Sequence, residues 1–209
     1  LGASTWHAGI VAALYLDQHL PSLLQRPSQK NMTGVLAVDI GAGLGLVSAV
    51  LARHGASVVA TDGDPEVLEL LAANMDRAEV NVSVQEMQWG SEDHAVAVLA
   101  FHQGRLADVV TAVDVVYPGN FEVWDSLLWS MDQVSSHDTI LLYGHTSRGA
   151  SEDKAFLRKA RRRFRVTKIG VASIIKEAGT GTELYLFSKK AAPPRTTPPE
   201  ASGVSEEVK

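Results

Sequence analysis

The stretch Val38-Asp39-Ile40-Gly41-Ala42-Gly43-Leu44-Gly45 decides how this chain is read. A nearly continuous apolar run, Val35 to Ile40, leads into it as a buried strand, and a helical pattern follows. Glycines at such a junction permit positive φ and bring backbone close to a ligand. The helix behind them offers unpaired N–H groups. Asp62 closes the next strand, at the spacing of a carboxylate that accepts hydrogen bonds from ribose hydroxyls. Turn chemistry accounts for a lone pair of glycines, but this one has a strand, a helix and an acid around it. A dinucleotide fingerprint needs a small residue at 46, where the chain has Leu46. That side chain is expected to obstruct close helix–strand packing. A P-loop is excluded because no Gly-Lys-Ser/Thr follows.

Outward from the loop, short β-branched runs alternate with helical patterns, as in a parallel α/β sheet. Strands are predicted at Val35–Ile40, Ser57–Thr61, Asn81–Gln85, Asp108–Val113, Thr139–Tyr143, Val166–Val171 and Glu183–Ser188. A helix is predicted over about His7 to Leu20. Asp64-Pro65 opens another with an N-cap acceptor and a first-turn proline. A third spans about Phe121 to Val134, with Trp124 and Trp129 as core or surface anchors, and a fourth, capped by Ser151, runs into Arg163. After Trp89-Gly90 a polar stretch reads as an open loop. The last segments run helix, strand, strand, which resembles the methyltransferase sheet whose final strand inserts antiparallel. From about Ala191 the chain is rich in Pro, Ser, Thr and Glu and is expected to be disordered. The organisation expected is one domain over 1–190, with a tail over 191–209.

Composition narrows the function classes. The chain has 209 residues, 45% hydrophobic and 21% charged, with a net charge of -5 and no cysteine. Disulfides, thiolate zinc sites and cysteine nucleophiles are thereby excluded. The histidines show no metal-ligand spacing, so no metal site is expected. An overall acidic balance disfavours a general nucleic-acid surface, and no apolar run is long enough to span a membrane.

The glycine spacing 41, 43, 45 resembles motif I of S-adenosylmethionine-dependent methyltransferases, whose cofactor carries no phosphate. Further pieces make the likeness more selective: Thr5-Trp6-His7-Ala8-Gly9, Gln88-Trp89-Gly90, Asp114-Val115-Val116-Tyr117, and Arg148 past the fifth strand. In order and spacing the chain resembles the seven-β-strand protein methyltransferases of methyltransferase family 16, chiefly lysine methyltransferases, over roughly residues 5 to 188. The resemblance implies a Rossmann-like class I fold, with a seven-stranded, mostly parallel sheet and helices on both faces. It implies S-adenosylmethionine as cofactor. Gly41, Ala42, Gly43 and Gly45 would line it, Asp39 would be the motif I acid and Asp62 would hold the ribose. Trp89 would lie on the adenine, Val113 on the pocket floor, and Trp6 would close over the top. Leu44 departs from the usual Thr of that loop.

Asp114 and Tyr117 are the expected catalytic residues. Methyl transfer is an in-line displacement in which the protein mainly aligns and desolvates the partners. A lysine acceptor must be neutral, yet its ordinary pKa near 10.4 leaves only ~1 in 10³ neutral at pH 7. Asp114 would recruit and orient the ammonium, and Tyr117 would shape the channel. The pair Val115-Val116 replaces the Pro-Pro of enzymes that grip planar amides or adenine, so those acceptors fall in rank. Arg148 is read either as a substrate contact or, preferably, as a tether for its own loop. The basic run Arg158, Lys159, Arg161, Arg162, Arg163 and Arg165 reads first as a solvated helix end. The reading expected is transfer to a lysine ε-amine of a folded partner protein. By the resemblance that partner is a chaperone or translation factor, met by a monomer in the cytoplasm, with the nucleus as a second location. The alternatives are an inactive cofactor-binding module and an RNA methyltransferase.

Overall fold

The computed structural model describes residues 7–28, 31–117, 119–171 and 181–190. Trp6, Pro118 and the segment from Ala191 lie outside them. The elements follow as α1 (His7–Leu23), β1 (Leu36–Ile40), α2 (Leu46–Arg53), β2 (Ser57–Asp62), α3 (Pro65–Arg77), β3 (Val82–Glu86) and α4 (Glu92–Ala100). Then come β4 (Ala107–Val113), a 3₁₀ turn Phe121–Val123, α5 (Trp124–Gln133), β5 (Ser135–Thr146), α6 (Ala150–Ala160), β6 (Phe164–Ile169) and β7 (Thr182–Lys189). The strand order is β3-β2-β1-β4-β5-β7-β6, with β7 antiparallel to both neighbours.

Strand residues alternate between two cores, because successive side chains point to opposite faces. Val38, Ile40, Val110, Leu141 and Tyr143 join α4, α5 and α6 through Val98, Leu127 and Phe156. Ala37, Val109, Leu142 and Leu184 face the other way, onto α1 and α2 through Leu16 and Leu51. The sheet is therefore covered on both faces, and its parallel centre is buried as parallel sheets require. The turning point of the strand order lies between β1 and β4. Their carboxyl ends, with those of β2, β3 and β5, open the crevice where such folds bind ligands.

Several local expectations are corrected. α1 continues to Leu23 through Pro21, whose missing N–H removes a bond only near the helix end. The stretch after Gly90 is not an open loop: Ser91 accepts from the His94 N–H and caps α4. Ser151 is not the cap of α6 and its helix does not reach Arg163. Gly149 occupies the cap, with Glu152 and Asp153 in the first turn complementing the helix dipole. β5 runs three residues beyond Tyr143, because β7 supplies partners up to Thr146↔Thr182. This extension carries His145 and Thr146 to the crevice.

Candidate functional site

The loop after β1 is shaped by glycine at two decisive positions. Gly41 has φ 67°, and a Cβ there would lie 2.5 Å from Val115 Cγ1 and 3.5 Å from the Trp89 ring. Gly45 has φ 84°, and a Cβ would lie 2.4 Å from Met75 Cε and 2.5 Å from Leu71 Cδ1. The tight helix packing expected at position 46 therefore falls on Gly45. Leu46 turns outward and is 38% exposed, so it obstructs nothing. The Leu44 carbonyl accepts from Asn74 Nδ2 at 3.1 Å, which anchors the loop to α3.

Two carboxylates order this loop from below and beside it. Asp39 is buried and accepts from Ser48 Oγ and Thr111 Oγ1, both at 2.6 Å. Burial pushes its pKa up to about 6, against the pull of those hydroxyls. Asp62 gathers backbone donors instead: Gly43 N at 3.2 Å on one oxygen, Gly63 N at 2.8 Å and Asp64 N at 3.2 Å on the other. It remains partly exposed at the rim of the crevice. Trp89 is half-buried after β3, its loop fixed by Gly90 N donating to Ser130 Oγ at 2.9 Å. On this half of the crevice the segments 41–46, 62–64 and 88–90 hold Asp62 and Asp64 and neither Lys nor Arg. Such a lining repels a pyrophosphate and suits a cofactor that carries positive charge and no phosphate.

The other half of the crevice is built on β4 and β5. Val113 ends β4 half-buried and packs beside Gly144. Asp114 follows with φ 58°, a left-handed conformation that costs a non-glycine residue energy and marks a constrained site. Its N–H donates to the Gly144 carbonyl at 2.8 Å, so β5 holds the turn. Its carboxylate receives both arms of Arg148, Nη1 on Oδ1 at 3.0 Å and Nη2 on Oδ2 at 2.7 Å, together with Thr146 N at 3.3 Å. The Asp114 side chain is 2% exposed and that of Arg148 is 29% exposed. Tyr117 lies on the surface of the same loop, its N–H donating to Asn120 Oδ1 at 3.3 Å. Asn120 also donates to the Val115 carbonyl at 3.0 Å and accepts from Trp124 Nε1 at 2.9 Å.

Behind Asp114 lies His145, 1% exposed, with Nε2 3.6 Å from Asp153 and 3.9 Å from Glu183. Burial holds its pKa below the ordinary value despite these carboxylates and Asp114. The structure thus gathers Asp39, the glycines, Asp62 and Trp89 around one half of the crevice and Val113, Asp114 and Tyr117 around the other. Gly41 meets Val115 and Trp89 at the seam. Sequence reasoning assigned no role to Asn120, His145, Ser48 or Thr111. An Asn closing the Asp-x-x-Tyr loop just before a helix was the one available signal among these.

A seven-stranded sheet of this order, with a glycine loop after β1 and an acid at the end of β2, defines the Rossmann-like class I methyltransferase fold. The TehB-like S-adenosylmethionine-dependent methyltransferase of Corynebacterium glutamicum superposes with a TM-score of 0.58, covering 80% of this chain and 87% of that one. At 16% identity that likeness speaks for the fold. The chain belongs to the lysine methyltransferase family, whose model matches residues 1–163. It is 30% identical over 174 residues to the zebrafish (Danio rerio) protein N-lysine methyltransferase METTL21A, spanning 81% of this chain and 71% of the relative. It is 32% identical over 173 residues to mouse (Mus musculus) protein-lysine methyltransferase METTL21E, spanning 80% and 65%. Family membership makes the protein a methyltransferase, and S-adenosylmethionine is its cofactor.

Proposed function

We propose that the protein transfers a methyl group from S-adenosylmethionine to the ε-amine of a lysine in a protein. Family membership over residues 1–163 carries this reading, and the crevice lining supports it. Gly41, Ala42, Gly43 and Gly45 bring backbone against the cofactor, with Asp39 fixing the loop from beneath. Asp62 presents its carboxylate to the ribose, Trp89 offers a ring face to the adenine, and Val113 forms the floor. Trp6 is assigned to the closing side by resemblance. When bound, the cofactor supplies an electrophilic methyl group on a sulfonium.

Asp114 and Tyr117 receive the acceptor lysine from the opposite side. Tyr117 lies exposed on the loop after Asp114, and the Asp114 carboxylate is held at its constrained turn by Arg148 and the Thr146 N–H. Orientation of the amine and exclusion of water are the chain's main contributions. On the resemblance alone, the expected partner is a chaperone or translation factor, met in the cytoplasm by a monomeric enzyme. Calorimetry with S-adenosylmethionine and with NAD tests the cofactor assignment, and binding of NAD alone would overturn it. Incubation of cell extract with radiolabelled cofactor should label a protein band. Label that RNase removes and protease spares would replace this reading with RNA methylation.

A further inference from the structure

The Arg148–Asp114 pair places a fixed positive charge at the spot where a positively charged substrate is to be received. Both guanidinium arms lie on the carboxylate, at 2.7 and 3.0 Å, in the fork geometry that holds charge and direction together. A bare carboxylate within about 4–6 Å of an amine stabilises the ammonium and raises its pKa by roughly 1–3 units. That favours capture of lysine and opposes its reaction. A carboxylate already neutralised by guanidinium does neither strongly.

We propose that Arg148 is a positioning residue that offsets the charge of Asp114, so that the acceptor lysine is oriented at the site yet free to lose its proton there. The inference rests on the lysine reading above. The proton passes to water, the amine lone pair then forms the new N–C bond, and the electrons of the broken C–S bond remain on sulfur.

Among the described residues, the ionisable groups around the pair include His145 and Tyr143 on β5, Asp153 on α6, Glu183 and Tyr185 on β7, and Tyr117 on the loop after Asp114. Burial holds His145 below its ordinary pKa and Tyr143 well above its own, and burial with the Glu183 hydrogen bond raises Tyr185. Those three therefore keep one protonation state between about pH 7 and 9. Glu183 sits low in spite of burial, through Lys168 and Tyr185.

The test uses the full chain and the acceptor protein purified from labelled extract, with kcat and KM measured from pH 6 to 10. Wild type should show an ascending limb in kcat. In Arg148→Met the limb should move alkaline by about one unit or more. Its KM should fall several-fold, and its kcat at pH 7 should fall about tenfold. Arg148→Lys should return the limb to within a few tenths of a unit. Asp114→Asn leaves the guanidinium unopposed, so its limb should move acidic while KM rises. Calorimetric binding of the acceptor to the S-adenosylhomocysteine complex at pH 7 should be tighter for Arg148→Met than for wild type. These opposite shifts allow either variant to decide if the other fails to fold. Limbs that stay in place, no limb in wild type, or weaker acceptor binding in Arg148→Met would overturn the proposal. Absence of any label in protein would instead remove the lysine reading beneath it.

Discussion

Around Gly41 to Gly45 the crevice is held by backbone geometry and close packing, whereas around Asp114 it is held by a charged side-chain pair 34 residues apart. The first half is shape: positive φ at glycine, a loop stitched to Asp62 through the Gly43 N–H, and a helix packed where only a hydrogen fits. The second half is electrostatics: a nearly buried carboxylate, a guanidinium partly in solvent, and a neutral buried imidazole behind them. Shape suits a cofactor that must sit the same way in every cycle. Balanced charge suits an acceptor that arrives as a cation and must react as a neutral amine.

Substitutions should separate the halves. Gly45→Ala drives a Cβ into Met75 and Leu71 at positive φ. It should cost roughly 2–4 kcal/mol in urea unfolding. Asp114→Ala should lower methyl transfer roughly 10²-fold while leaving cofactor affinity in calorimetry within about twofold. Equal loss of both would merge the two halves into one. Asp62→Asn should act the other way, weakening cofactor binding by about tenfold to a hundredfold with KM for the acceptor little changed.

Asp39 gives the smallest effect and the most specific sign. Its carboxyl is raised from 3.8 to about 6, so its contribution to stability is complete below the lower value and is lost as pH rises through the upper one. The stability of wild type relative to Asp39→Asn should therefore fall by about 1–3 kcal/mol between pH 4 and 7. A difference that is flat with pH would mean that Ser48 and Thr111 fully compensate the burial of the charge.

The two halves also differ in how far the sequence revealed them. Gly41, Gly43, Gly45 and Asp62 are legible because the strand and helix around them are short-range patterns. The β-strand positions are legible for the same reason, within a residue or two for most strands. The pairing of Arg148 with Asp114 is not, since it depends on how far β5 extends, and β7 sets that extension. Asn120 was passed over because its work, bonding Val115, Tyr117 and Trp124 at once, exists only when the loop is folded. α4 was missed because its cap, Ser91, lies in a polar stretch with weak helical periodicity. Leu46 causes no clash with the sheet, since the close packing sits one residue earlier at Gly45.

The central claim is that this crevice methylates lysine in a protein. Tritiated S-adenosylmethionine, the full chain and cell extract, followed by acid hydrolysis of the labelled protein and amino-acid separation, test it most directly. The tritium should travel with methylated lysine and fall roughly 10²-fold with Asp114→Ala. Tritium on another amino acid, or in nucleic acid, would contradict it.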